Sequence, residues 1–225
     1  ISQIRDHGKV RLREQIAVQA AINLAFEMVK ATAAEKEALA ALFNAGQFTE
    51  AEQQARAMTV RFPQDGFGWK ALGAVLKMQG QAEAALPVLE QALVLMPEDA
   101  ETHYNLGALY QDLGRLSEAE ASYQRAITLK PDNAKAHYNL GIAYQDLGNL
   151  TEAEASYHRA LTLKPDYAEA HNNLGNTLKD LGHLAEAEAS YRRALALKPD
   201  YTDAHSNLLL FSRSEERRVG KECLR

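Results

Sequence analysis

Apolar residues recur along this chain at helical spacing, in sets separated by helix breakers. Leu106, Leu109, Tyr110 and Leu113 fall three or four residues apart, and so do Leu116, Ala119, Tyr123, Ala126 and Ile127. That spacing puts each set on one face of an α-helix. Gly114 stands between the two sets and Pro131 follows the second. A glycine after the last apolar residue suits a left-handed C′ position, and a proline stops the helix before it. The pattern predicts two antiparallel helices joined by a tight turn. Ser117 with Glu120, and Thr151 with Glu154, read as capping boxes that open the second helix.

The pattern returns every 34 residues. With position 1 of the unit at Gly66, Ala100, Ala134 and Ala168, position 8 is Gly73, Gly107, Gly141 and Gly175, and position 15 is Gly80, Gly114, Gly148 and Gly182. Position 20 is Ala85, Ala119, Ala153 and Ala187, position 27 is Ala92, Ala126, Ala160 and Ala194, and position 32 is Pro97, Pro131, Pro165 and Pro199. One helical hairpin cannot bury its apolar face alone, so such units must stack into an array. The small residues at positions 8, 20 and 27 let the two helices approach closely. This set of positions resembles the tetratricopeptide repeat. The resemblance implies an all-α, right-handed solenoid, with helix pairs near 66–79 and 83–96 and every 34 residues thereafter. Four full units are expected, at 66–99, 100–133, 134–167 and 168–201. A degenerate copy at 32–65 keeps Gly46, Ala51 and Pro63 but has Leu39 at position 8, and a half copy at 202–212 has Leu209 there.

Residues 1–31 show no good repeat and read as an N-terminal helical cap. The chain opens on Ile1 rather than methionine, so its true N-terminus, with any targeting signal, is expected to lie upstream. At the other end, the string from Arg213 to Cys223 shares nothing with the unit, begins mid-helix and resembles a translated sequencing adapter; 213–225 is set aside as a non-native tail, the alternative being a genuine charged tail. It holds five basic and three acidic residues and the one cysteine, so the net charge moves from −5 to −7 without it. An acidic chain is a poor match for nucleic acid. No apolar run is long enough to span a membrane, and a cytoplasmic protein is expected. A single cysteine offers neither a disulfide framework nor a thiolate metal site.

Position 4 carries His103, His137, His171 and His205. Equivalent residues of adjacent units lie about one helix-packing distance apart, roughly 8–10 Å, far beyond the reach of one metal ion, so no metal and no cofactor is expected. They are expected to pack where Trp69 does in the first full unit. Tyr110, Tyr144, Tyr123, Tyr157 and Tyr191, at positions 11 and 24, read as core. No phosphate-binding loop, zinc-protease motif or nucleophile elbow occurs, and no catalytic constellation was found.

Position 6 is different. Asn105, Asn139, Asn173 and Asn207 stand in the phrases His-Tyr-Asn-Leu-Gly (twice), His-Asn-Asn-Leu-Gly and His-Ser-Asn-Leu-Leu. Positions 2, 5, 6, 9, 12 and 13 share one helical face, which the family resemblance makes the lining of a concave groove. That face would carry Tyr104, Asn105, Asp112, Tyr138, Asn139, Asp146, Asn172, Asn173, Asp180 and Asn207. An amide side chain both donates and accepts hydrogen bonds, so a row of them can grip the N–H and C=O of an extended polypeptide regardless of its sequence. The plainer reading is that position 6 favours a small polar residue. Acidic residues at Glu101, Asp112, Asp146, Glu169, Asp180 and Asp203 would bias the groove against acidic ligands.

Two further stretches carry a narrower resemblance. One is 41–52 with 61–77, and the other is Asp-Ala-His-Ser-Asn-Leu-Leu-Leu-Phe at 203–211. Both resemble the repeat arm of bacterial proteins similar to protein O-GlcNAc transferases. The resemblance implies that a glycosyltransferase domain follows and covers the half unit at 202–212, where Leu208, Leu209, Leu210 and Phe211 would otherwise be exposed. It also implies that the asparagine ladder binds the main chain of the substrate protein, starting at the second full unit because the first has Ala71. The alternatives are a free-standing adaptor for complex assembly with no enzyme attached, and a co-chaperone that clamps a C-terminal carboxylate. The last fits worst, since position 2 is mostly acidic and Lys135 alone cannot hold two carboxylates.

Overall fold

The computed structural model describes residues 33–211, and every regular element within them is helical. Helix α1 (33–44) is followed by α2 (Phe48–Arg61). Four near-identical pairs come next: α3 (Gly66–Met78) with α4 (Ala82–Leu95), α5 (Ala100–Asp112) with α6 (Leu116–Leu129), α7 (Ala134–Asp146) with α8 (Leu150–Leu163), and α9 (Ala168–Asp180) with α10 (Leu184–Leu197). Helix α11 (202–211) closes the described range. The helical cap expected at 1–31 and the tail at 213–225 lie outside the described residues.

Each helix packs against its neighbours in sequence. First helices of successive units also touch, as α3 with α5, α5 with α7 and α7 with α9, whereas among the described residues no second helix touches the next second helix. The first helices therefore sit on the shorter, concave side of the solenoid and the second helices fan out on the convex side.

The repeated residues explain the pairing. Ala85, Ala119, Ala153 and Ala187 are fully buried, and so are Ala92, Ala126, Ala160 and Ala194. At position 8 a Cβ on Gly107, Gly141 or Gly175 would sit 2.6 Å from the ring of Tyr123, Tyr157 or Tyr191, so these glycines are the slots into which the tyrosines of the second helices lie flat. Buried tyrosine hydroxyls need partners. Tyr123 donates to Gln111 Oε1 and Tyr157 to Gln145 Oε1, both at 3.0 Å. The fourth unit has Lys179 at the glutamine position, which cannot accept, and Tyr191 instead donates to Asn176 Oδ1 at 2.8 Å.

The turn glycines are left-handed, with φ of 70 to 84° at Gly46, Gly80, Gly114, Gly148 and Gly182, and a Cβ there would meet no other atom. The requirement is conformational only. Gly148→Ala is expected to cost about 1–2 kcal/mol, with Gly148→Asn milder because asparagine tolerates this region. Chemical denaturation of the two variants checks the order.

The histidines pack as Trp69 does, and the structure gives the reason. Trp69 Nε1 donates to the carbonyl of Pro63 at 3.1 Å. Nε2 of His103, His137, His171 and His205 makes the same bond to Pro97, Pro131, Pro165 and Pro199, at 2.8 to 3.1 Å. What position 4 requires is a flat ring with an N–H six residues after the proline. Burial pushes the pKa of His137 and His171 down, which favours the neutral ring. Among the described residues no group of His, Cys, Asp and Glu is arranged to hold a metal ion, and no helix is long and apolar enough to cross a membrane.

Three expectations need correction. The capping boxes do not form: α6 and α8 begin at Leu116 and Leu150, with Arg115 and Asn149 as N-caps that make no side-chain cap bond. The left-handed glycine lets each helix restart two residues later, which moves Ser117 and Thr151 inside the first turn. Acidic Glu118 and Glu152 occupy that turn instead, where carboxylates oppose the helix dipole favourably. Side-chain caps lie on the first helices, from Asp65, Asp99 and Asn133. Second, Tyr110 and Tyr144 are only half-buried, their hydroxyls reaching Glu90 and Gln124 of the preceding second helix. Third, Phe211 is buried against Tyr191, ring centroids 6.3 Å apart, and Leu208 is partly buried, so the exposed pair is Leu209 and Leu210.

Candidate functional site

The four asparagines come together on the concave side, over the seams between first helices. Each is half-buried. Asn139 Nδ2 donates to the hydroxyl of Tyr104, and Asn173 Nδ2 to that of Tyr138, both at 3.1 Å. Asn207 Nδ2 donates to Asn172 Oδ1 at 3.0 Å. The same geometry recurs three times: position 5 of one unit holds the amide at position 6 of the next, 35 residues later. At the C-terminal end the bonds join into a chain, because Asn172 Nδ2 also donates to Asn173 Oδ1 at 3.3 Å.

The expected groove residues thus divide into two roles. Asn139, Asn173 and Asn207 each spend one N–H internally and keep the other, together with acceptor capacity on the carbonyl oxygen. Tyr104 and Tyr138 stand behind them. Their rings lie 5.9 and 6.0 Å from those of Tyr123 and Tyr157, and burial raises the pKa of Tyr104 and pushes that of Tyr138 up to about 12. Both hydroxyls therefore stay protonated and can still donate. Asn172 differs from its expected role as a lining residue: it is buried, at 3% exposure, and acts as a strut between Asn173 and Asn207. Asn105 makes no side-chain hydrogen bond among the described residues, since the residue 35 before it is Lys70, which cannot accept.

Asp112, Asp146 and Asp180 lie exposed at the C-terminal ends of the first helices. The acidic bias is narrower than the residue count implies. Glu101 pairs with Lys70 at 2.8 Å, Asp180 with Lys179 at 3.5 Å, and Asp112 with Lys77 and Glu169 with Lys198 at 3.7 Å. Asp146 and Asp203 have no ion-pair partner among the described residues.

Two features lay outside the sequence reading. Tyr167, at the N-cap position of α9, places its ring 4.7 Å from that of Tyr138, with Lys164 Nζ 4.6 Å from the Tyr167 ring centroid. The equivalent Tyr201 carries Lys198 at 4.9 Å. The signal was present, as Tyr replaces the Asp or Asn of the other units at this position. The second feature is a pocket of about 190 Å³ between α1, α3 and α5, at the N-terminal end of the ladder.

The family follows from these repeats. Residues 73–114 and 112–148 match a family model described as TPR repeat, and residues 132–200 match one described as tetratricopeptide repeat. Together the matches span more than half of the chain, which belongs to the tetratricopeptide repeat family. No curated protein matches it. Among solved structures it is similar to MamA, with 25% identity and a TM-score of 0.66 over 70% of this chain and 92% of that one. YrrB, described as a TPR protein with an unusual peptide-binding site, is 20% identical with a TM-score of 0.66, over 76% of this chain and 89% of that one. The first TPR of Spaghetti (RPAP3), solved bound to the HSP90 peptide SRMEEVD, is 27% identical with a TM-score of 0.51, over 52% of this chain and 93% of that one.

Proposed function

We propose that the chain is a protein-binding scaffold whose concave asparagine ladder grips extended polypeptide through its backbone. The observation that carries this is the amide support: Asn139, Asn173 and Asn207 are each held from below while keeping an N–H and an acceptor for a ligand. Holding the amide in place beforehand reduces what binding must spend on ordering it. Successive asparagines roughly 10 Å apart match three residues of extended chain at about 3.3 Å each. Peptide binding in the RPAP3 relative supports the general use of such a groove.

The finer reading is that the ladder is the substrate-recognition arm of a bacterial protein O-GlcNAc transferase-like glycosyltransferase of the cytoplasm. It rests on the resemblance at 41–52, 61–77 and 203–211. A free-standing adaptor for complex assembly with no enzyme attached is the second reading. The reading frame downstream of Phe211 in the uninterrupted gene separates the two.

The test of the ladder is the double variant Asn139→Ala/Asn173→Ala, titrated against several extended peptides of unrelated sequence. Each lost hydrogen bond is worth on the order of 1 kcal/mol, so all peptides should weaken by a similar factor, about tenfold or more. Loss of one sequence alone would rule out backbone gripping.

A further inference from the structure

Where the ladder ends, the groove changes character. Position 6 is Asn from the second full unit on, but Ala71 in the first and Glu37 in the degenerate copy. The seam there opens into the pocket of about 190 Å³. Its walls are apolar: Leu39, Ala40 and Phe43 from α1, and Phe67, Ala71 and Ala74 from α3. The volume exceeds the roughly 150 Å³ of a cavity that admits benzene.

The rim is polar but electrically occupied. Lys70 lies 2.8 Å from Glu101 and 3.5 Å from Asp99, and the nearby Lys36 lies 2.7 Å from Asp65. Both lysines are already paired with carboxylates, and each of the three acids has a lysine partner. Asn105 also lines the mouth, and it is the one ladder amide without a side-chain bond among the described residues.

We propose that this pocket takes one bulky apolar side chain, aromatic or branched aliphatic, from the same extended polypeptide whose backbone lies on the ladder. Asn105 grips the peptide unit beside that anchor. The groove is then indifferent to sequence from Asn139 to Asn207 and selective at one point, about three residues from the unit held by Asn139. This inference rests on the ladder reading. The two charged residues that line the mouth, Lys70 and Glu101, pair with each other, so the apolar walls fit an uncharged apolar group, and continuity with the ladder makes its source the bound chain.

The test uses the full chain and two labelled 15-residue peptides rich in Ser, Thr and Gly, identical except for a central Phe or Ala, with binding read by fluorescence anisotropy. The Phe peptide should bind about tenfold or more tightly, from burial of its side chain. Ala74→Phe fills the pocket from α3 and should bring the Phe peptide down to the affinity of the Ala peptide. Ala40→Phe fills it from the exposed side of α1 and should do the same if Ala74→Phe fails to fold. Asn139→Ala/Asn173→Ala should weaken both peptides equally and preserve their ratio. If the two peptides bind the parent chain equally, the pocket proposal fails and the ladder stands; occupation of the pocket by the chain's own residues 1–32 would give this result. If the Phe preference survives both pocket-filling changes, the anchor lies elsewhere and the proposal fails. If neither peptide binds, the ladder reading fails and takes the pocket with it.

Discussion

Gly141→Leu and Tyr157→Ala are each expected to destabilise the array severely, and together by much less than their sum. Alone, a side chain at 141 must displace the Tyr157 ring, whose Cε1 lies 2.6 Å from where a Cβ would be. Overpacking of this kind costs about 3 kcal/mol or more. Tyr157→Ala empties a fully buried aromatic site, for about 3–5 kcal/mol. The degenerate unit already contains the exchange. At position 8 it has Leu39 in place of glycine, at position 24 it has Ala55 in place of tyrosine, and both belong to one buried cluster. The double variant writes that pair into the third full unit, so a coupling of about 1–3 kcal/mol in favour of the pair is expected. A double-mutant cycle by urea denaturation measures it. Additive losses would mean that Leu39 and Ala55 compensate each other through their own backbone and not through shared volume.

The C-terminal helix gives the second large effect. Phe211→Ser should cost about 3 kcal/mol and release α11 from Tyr191, whereas Leu209→Ser and Leu210→Ser should stay within about 0.5 kcal/mol and improve solubility. Phe211 is 5% exposed, against 56% and 62% for Leu209 and Leu210. Amide hydrogen exchange across α10 and α11 with a melting curve for each variant checks this. Equal effects at the three positions would mean that α11 is not anchored through Phe211.

The same three residues show what could be read from the sequence and what could not. A strict period fixes the fold once one unit is understood, because each position has one environment. Phe211 is position 10 of its unit, and Val75, Leu109, Ala143 and Thr177 at that position are all buried; Leu209 stands where full units have glycine. Register alone places Phe211 inside, but counting apolar residues in a short segment placed it outside. The capping boxes failed for a local reason: the motif was present, but the left-handed glycine set the helix start before it could be used. At the groove, the ladder itself was legible because it repeats. Its supports were not, since the hydrogen bonds span 35 residues and so fall between units. Asn172 was read as a partner for ligand when it is a partner for Asn207. The pocket was hidden more completely, because it is made where the repeat loses its regularity, and the period says nothing about such places.

That offset of 35 has a consequence for how such a protein can change. The bond that each supported amide donates runs to the unit before it, and only Asn173 is also bonded within its own unit, by Asn172. A unit with an accepting residue at position 5, such as Tyr104 or Tyr138, can be duplicated and the rail stays supported, since the new junction again sets that residue behind a position 6. A change at one position 5 is felt next door. Tyr138 guards the asparagine of the following unit, and the first unit's lysine leaves its successor's amide untethered. Inheritance in this array runs one residue longer than the repeat, so the boundaries that evolution can cut at are not the boundaries at which the groove works.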